Sequence, residues 1–247
     1  MSNASYRDGI FSTPLDRVAG FSFDERVVAC FPDMIRRSVP GYGQILAMLG
    51  PLARRHLRHG GHVHDLGCSL GAAGLALAGQ LPPDAFRYTG IDLSPAMVER
   101  ASQTLREEYP AHDMTVIEDD IRRHAFEASG MILLNFTLQF LAPEDRDSVI
   151  ARLYEALEPG GVLILSEKIV ADDEQDNAWL VERYHDFKRA NGYSDLEISQ
   201  KRTALENVLV PDTLAAHHDR LADAGFSRSL TWFQYLNFAA LIAFKEA

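Results

Sequence analysis

A short apolar strand pattern, Val63-His64-Asp65-Leu66, runs directly into Gly67-Cys68-Ser69-Leu70-Gly71 and then into the helical run AAGLALAG. That junction leaves few folds open. Glycine has no Cβ, so the chain can turn sharply there and its backbone can approach a ligand closely. A helix entered this way returns across the sheet to a parallel strand, because a parallel return needs a crossover of a dozen residues or more. The same unit then repeats: YTGIDL is followed by PAMVERASQTLREEY, then come MTVIEDDI, GMILLNFTLQFL, DRDSVIARLYEALEPGG and VLILSEKIV. Strand-like runs alternating with helical periodicity predict βαβ units and an α/β, Rossmann-like fold with a mostly parallel sheet. Turn residues agree with these boundaries. Pro82-Pro83 separates a helix from a strand, Pro95 suits a first helical turn, and Pro159-Gly160-Gly161 is expected to stop a helix before the next strand.

Near the C-terminus LADAGF ends another helix, and SLTWFQY and FAALIAFK follow with only Leu236 and Asn237 between them. Strands joined so tightly pair antiparallel, which brings the expected sheet to seven strands ending in a hairpin. Two segments lie outside the alternation: residues 1–60, helical around FDERVVACFPDMIRRSVPGYGQILAML, and residues 172–212, helical around ERYHDFKRANGYSDLEISQKRTALENVL. Both are expected to cover the carboxyl edge of the sheet, where open α/β folds bind ligands. The whole reads as one domain, with a core at 61–171 and a closing helix and hairpin at 213–247.

Composition excludes several classes. A net charge of -11 repels polyanions, so direct nucleic acid binding is not expected. The densest basic cluster, Arg54, Arg55, His56, Arg58 and His59, stands before Gly60-Gly61 and reads as the C-terminal end of a helix, where cations suit the dipole. No apolar run approaches the ~18 to 20 residues of a membrane span. The first residues lack the basic start and apolar stretch of a secretory signal, and Ser2, Asn3 and Ala4 carry no pattern. With only Cys30 and Cys68 there is neither a disulfide framework nor a Cys-x-x-Cys metal pair, so a reducing cytoplasm and no metal are expected.

The loop after Asp65 is not a dinucleotide fingerprint, because Ser69 stands where GxGxxG requires glycine. Asp92 closes the next strand, where a carboxylate can accept from both ribose hydroxyls; its alternative role, capping the following helix, falls more naturally to Ser94 before Pro95. Asp119-Asp120-Ile121 after the third strand offers an acceptor for an adenine amine beside a backbone N–H for a ring nitrogen. Asn135 closes an apolar strand at the ligand edge, or else caps the next helix. Scattered acceptors and backbone donors, with no phosphate cradle, favour an adenosyl ligand with a zwitterionic tail over a nicotinamide dinucleotide.

Taken in order, Asp65-x-Gly67, Asp92, Asp120, Asn135 and LEPGGVLILSE resemble the motif set of class I S-adenosylmethionine-dependent methyltransferases, whose sheet also ends in an antiparallel strand. A closer resemblance covers nearly the whole chain from Asp8. FSFDERVVACFPDMIRRSVPGYGQI, DLGCSLGA, NFTLQFL, LSEK and HDFKRANGYSDLEISQKRTALENVL are similar to the carboxy-S-adenosylmethionine synthases. That resemblance implies conversion of S-adenosylmethionine and prephenate to carboxy-S-adenosylmethionine and phenylpyruvate, in a homodimer. It also implies a separate tRNA carboxymethyltransferase that uses the product to make 5-oxyacetyluridine at the wobble position. It places ligand contacts at Tyr42, Gly67, Cys68, Ser69, Asp92, Leu93, Asp120, Ile121, Asn135 and Arg202, with Asp120 preferred over Asp119. Leu93 stands where asparagine is also met in the family, and a backbone contact tolerates either.

The implied chemistry is physically reasonable. A sulfonium acidifies its methyl protons, prephenate releases carbon dioxide readily because its ring becomes aromatic, and the departing hydroxide or a ring-derived base can take the proton, provided water is excluded. The added carboxylate calls for a cation, and Arg202 offers planar two-point recognition. Prephenate is a dianion, so Lys168, Lys188, Arg189 and Lys201 are candidate partners of equal standing. Tyr42 reads equally as a core aromatic, and His185 as a base or as a structural histidine. Two other functions are compatible with these residues: a conventional methyltransferase acting on a small molecule or tRNA, and a noncatalytic carrier of the adenosyl ligand.

Overall fold

The computed structural model describes residues 7–15, 17–206 and 208–246; Ser2, Asn3 and Ala4 lie outside them. The first helix, α1 (Glu25–Ser38), starts where the Asp24 carboxylate accepts from the backbone N–H groups of Arg26 and Val27. It ends before Pro40-Gly41. Gly41 has φ +76°, and a Cβ there would sit 2.2 Å from the Phe233 ring, so glycine is required by both conformation and space. Helix α2 (Tyr42–His56) follows, with Arg54, Arg55 and His56 in its last turn as expected. Arg54 donates to the Gln80 carbonyl and Arg58 pairs with Glu158, so the basic cluster is tied into the fold.

The alternating core then unfolds as β1 (Gly61–Leu66), α3 (Ala72–Ala78), β2 (Phe86–Asp92), α4 (Pro95–Glu108), β3 (Asp113–Glu118), β4 (Ser129–Asn135), α5 (Pro143–Ala156) and β5 (Leu157–Val170). Ser94 caps α4, accepting from the Met97 N–H, with Pro95 in the first turn. After the insertion α6 (Glu174–Ala190) and α7 (Asp195–Leu205) come β6 (Asp212–Thr213), α8 (Leu214–Asp223), β7 (Arg228–Tyr235) and β8 (Phe238–Phe244). The strands run in the order β3-β2-β1-β4-β5-β8-β7. Strands β1 to β5 are parallel, and β8 lies antiparallel between β5 and β7. This is the seven-stranded Rossmann-like sheet read from the sequence, with the two-residue β6 added beside β5.

One boundary differs. Pro159-Gly160-Gly161 does not separate helix from strand; α5 stops at Ala156 and Leu157 already pairs with Ser129. Gly160, at φ +79°, forms an irregularity inside β5 after which the register resumes at Val162 opposite Met131. The hairpin turn is as tight as expected, and it places Leu236 at φ +52°.

Met131 to Leu134 in the central strand are fully buried, because both sheet faces are covered. Leu66, Ile132 and Leu134 pack with Val149, Leu153, Leu221 and Phe226 on one face. On the other face Val63, Leu133 and Ile164 pack with Leu49 and Leu77. Among the described residues no helix is long and apolar enough to cross a membrane. The strand order reverses between β1 and β4, and α1, α6 and α7 lie over the carboxyl ends of the strands there. A buried polar network ties them together. Asp8 accepts from the Tyr193 hydroxyl and lies 3.5 Å from the Lys201 ammonium, while Arg37 pairs with Asp33 at 3.0 Å and donates to the Asn191 carbonyl at 2.7 Å. Gln200 donates to the carbonyls of Phe11 and Thr13, strapping the N-terminal segment across α7.

Candidate active site

At the end of β1 the backbone turns through Gly67 at φ +69°, and a Cβ there would lie 2.3 Å from the Thr137 hydroxyl. The next residues are held by β2, because the N–H groups of Gly67 and Cys68 both donate to the Ile91 carbonyl. Ser69 then adopts φ +49°, a conformation that an L-residue takes at some cost, and its N–H donates to Asp92 at 2.9 Å. The other Asp92 oxygen accepts from the Ser94 N–H, so the carboxylate fixes two loops and keeps lone pairs free toward the space above. Burial raises its pKa above the ordinary carboxylate value. Asp65, behind it, accepts from Tyr88 at 2.6 Å and is pushed up to about 7 by burial.

The β4 end supplies a matching donor. Asn135 accepts from Ser166 through Oδ1 at 2.8 Å, while its buried Nδ2 has no partner among the described residues. Capping is not its role. The turn Leu138–Phe140 is instead held by Glu167, whose carboxylate accepts from the N–H groups of Thr137, Leu138 and Gln139 at 2.8 to 3.1 Å. Phe136, at φ +59°, is turned against Tyr42, with ring centroids 6.1 Å apart. Burial raises the Tyr42 phenol well above its usual range, so it stays protonated and can donate.

These groups open into a cavity of about 530 Å³. Tyr42, Gly67, Cys68, Ser69, Asp92, Leu93, Ile121, Asn135 and Arg202 all line it. Asp120 is placed differently: its carboxylate is engaged by Arg122 at 2.7 Å, and it is Asp119, hydrogen-bonded to His124, that reaches the cavity wall. Asp120 opens the turn that follows β3, its carbonyl accepting from the N–H groups of Arg123 and His124. Sequence reasoning missed the aromatic wall at one end, where Phe23 and Phe140 meet edge to face at 5.4 Å and Phe21 stands 5.2 Å from Phe23.

Charge is segregated along the cavity. Asp65, Asp92 and Asp119 come from strand ends, whereas Lys168, His185, Lys188, Lys201 and Arg202 come from the end of β5 and from α6 and α7, with Glu206 at the end of α7 as the carboxylate among them. Arg189 stays outside, paired with Asp186 and Asp195. Burial and the cations around it lower His185, leaving it neutral near neutral pH. Arg202 is exposed, and no hydrogen bond or ion pair among the described residues holds its guanidinium. The signal that could have ranked these residues is helical spacing. Val181, Tyr184, His185 and Lys188 recur at i, i+3, i+4 and i+7, as do Ile198, Lys201, Arg202 and Leu205, so each set shares one helix face.

A methyltransferase-domain family model matches residues 63–161, the part that carries Gly67, Asp92 and Asn135. Over 247 residues, all of this chain and 92% of its counterpart, the sequence is 76% identical to the carboxy-S-adenosyl-L-methionine synthase of Chromohalobacter salexigens. The chain belongs to the carboxy-S-adenosyl-L-methionine synthase family. A Psychrobacter synthase of the same name is 58% identical over 96% of this chain and 91% of that protein. An O-methyltransferase family protein from Burkholderia thailandensis superposes with a TM-score of 0.66 at 19% identity, covering 91% of this chain and 61% of the other, which shows the shared fold. Membership makes the protein a transferase-type enzyme with S-adenosylmethionine as a substrate. The cavity fits that ligand: Gly67 allows close approach, Asp92 can accept ribose hydroxyls, and the unpartnered Asn135 amide offers a donor. In a carboxy-S-adenosyl-L-methionine synthase the cation end then needs an explanation, since a methyl donor alone brings no extra carboxylate.

Proposed function

We propose that the protein converts S-adenosylmethionine and prephenate to carboxy-S-adenosylmethionine and phenylpyruvate. The observation that carries this reading is the distribution of charge, with acceptors at the ends of β1 to β3 and four cations, Lys168, Lys188, Lys201 and Arg202, against Glu206 where β5, α6 and α7 meet. Bound S-adenosylmethionine supplies a sulfonium that makes its methyl protons acidic. The chain's residues bind, orient and shield: Asp92 and Asn135 hold the adenosyl part, the aromatic wall excludes water, and Arg202 receives the new carboxylate. In the balanced reaction, the carboxyl carbon of prephenate leaves its ring and bonds to the methyl carbon. The ring hydroxide leaves and carries the methyl proton away as water, and the ring becomes aromatic. The product is then used by a separate tRNA carboxymethyltransferase for wobble uridine modification, with the synthase acting in the cytoplasm as a homodimer.

Mass spectrometry of the ligand after incubation with S-adenosylmethionine and prephenate tests the proposal. A species heavier by one carboxyl group in place of a hydrogen supports it. Recovery of unmodified S-adenosylmethionine alone, or methyl transfer to an acceptor without prephenate, refutes it.

A further inference from the structure

At the cation end of the cavity Lys168, Lys188, Lys201 and Arg202 face two carboxylates, Glu206 in the wall and Asp8 beside Lys201, so positive charge is left in excess. Lys201 is accounted for by the fold, since its ammonium lies 3.2 Å from Ser38 Oγ and 3.5 Å from Asp8. Lys168 and Lys188 are different. Their ammonium groups stand 5.2 and 5.0 Å from the centroid of the same Tyr184 ring, so they are no farther apart than those two distances together. Neither ammonium donates a hydrogen bond or pairs with a carboxylate among the described residues, and both face the cavity. Lys188 is only 5% exposed. Burying an ammonium without a partner is costly, and contact with an aromatic face offsets little of that cost. Burial, Lys201 and Lys168 together pull Lys188 down to about 7, and Lys168 is lowered as well. A fold that holds two such groups against one ring is organised for an anion it does not itself contain.

We propose that Lys168 and Lys188, sharing the Tyr184 ring, form the seat of a dicarboxylate co-substrate whose carbocycle lies against that ring. This rests on the prephenate reading and assigns its binding residues. The charges divide sensibly over the reaction. A dianion enters among Lys168, Lys188 and Arg202, and the two carboxylates separate on transfer. The one retained by the departing keto acid stays with the lysines, and the transferred one passes to Arg202. Cations drawn from β5, α6 and α7 thus give each carboxylate its own partner.

Calorimetric titration of prephenate into protein saturated with S-adenosylhomocysteine, which lacks the reacting methyl group, tests the seat without turnover. Lys168→Met and Lys188→Met are each expected to weaken prephenate by roughly tenfold or more. Affinity for S-adenosylhomocysteine should stay within about twofold, since the lysines are at the other end of the cavity. Lys188→Met should melt at the same temperature or higher, because it removes a buried unpaired charge, and Arg189→Met should leave prephenate binding unchanged. Prephenate binding as tight in both lysine variants as in the parent overturns the assignment. Phenylmalonate separates the two readings. If the parent ignores prephenate but binds phenylmalonate with the same lysine dependence, the seat stands and prephenate is wrong; if neither dianion binds, the seat falls.

Discussion

Gly67→Ala tests whether the cofactor loop is shaped by its own backbone or by the neighbouring turn. Two costs add in the parent background. An alanine at φ +69° pays roughly 1 kcal/mol for the left-handed conformation. Its Cβ would also lie 2.3 Å from Thr137 Oγ1 and 2.5 Å from Cγ2, far inside contact distance, so the Leu138–Phe140 turn must move. Overpacking of that kind costs about 1 to 3 kcal/mol. Moving Thr137 also breaks its hydroxyl bond to the Leu66 carbonyl, 2.9 Å long, for about 1 kcal/mol more. The expected total is about 3 to 5 kcal/mol, read as a shift in the urea midpoint at constant slope. In a Thr137→Ala background the hydroxyl and methyl are gone and only the Thr137 Cβ remains, 3.0 Å away, a gap that a few tenths of an ångström relieve. There the same Gly67→Ala change should cost only about 1 to 2 kcal/mol, giving a coupling energy of about 2 to 3 kcal/mol in the double-mutant cycle. A coupling below about 0.5 kcal/mol would show that Thr137 is not the wall, and would refute the packing argument while leaving the backbone one.

Three further outcomes follow from the same geometry. Asp92→Ala should weaken S-adenosylhomocysteine by about 2 to 3 kcal/mol in calorimetry, since it removes a charged acceptor and frees the Ser69 and Ser94 amides; a loss of less than about twofold would sink the ribose role. Arg202→Ala should weaken carboxy-S-adenosylmethionine more than S-adenosylmethionine, by about 1 to 2 kcal/mol, because Arg202 lines the cavity but is exposed, so its charge is partly screened; equal losses for both ligands would count against it. His64, buried against His62 and Phe126, is pushed down to about 3 by burial and by its neighbours His62, His124 and Arg87. Its folded value is depressed, so the unfolded chain takes up the proton first, and stability present above pH ~6.5 is lost as the pH falls toward 3. Between pH ~6.5 and ~5 that loss is roughly 1.5 kcal/mol, and His64→Leu should remove it from the pH dependence of urea unfolding; an unchanged acid slope would refute the assignment.

The sheet could be read from the sequence because its signals are local. Strand and helix periods, Ser94-Pro95 at a helix start and a two-residue gap between apolar runs each act within a few residues. The strand-end wall of the cavity was readable for the same reason, since its groups sit at strand ends that those periods already locate. Three backbone features were not. Ser69, Phe136 and Leu236 have positive φ without being glycine, and no propensity marks them; the surrounding hydrogen bonds, such as Asp92 to Ser69, impose the conformation. The boundary at Pro159-Gly160-Gly161 misled because a helix stop and a strand irregularity use the same residues. Asp119 against Asp120 depended on which side chain Arg122 captures, a contact that neither spacing nor residue type reveals.

The long-range polar network was out of reach for a different reason. Asp8 meets Tyr193 and Lys201, and Arg7 reaches the Gly192 carbonyl, across more than 180 residues of sequence. Those contacts determine which lysines are spent on the fold and which remain for a ligand. Lys201 and Lys188 are indistinguishable as residue types, yet one is neutralised by Asp8 and the other is left over the Tyr184 ring. Strands β1 to β4 and the loops that follow them supply the cavity with acceptors and backbone N–H groups and no cation, which suits an adenosyl group. Selection of an anionic co-substrate therefore belongs to the end of β5 and to α6 and α7, and it is set by the charges that the covering helices fail to pair among themselves.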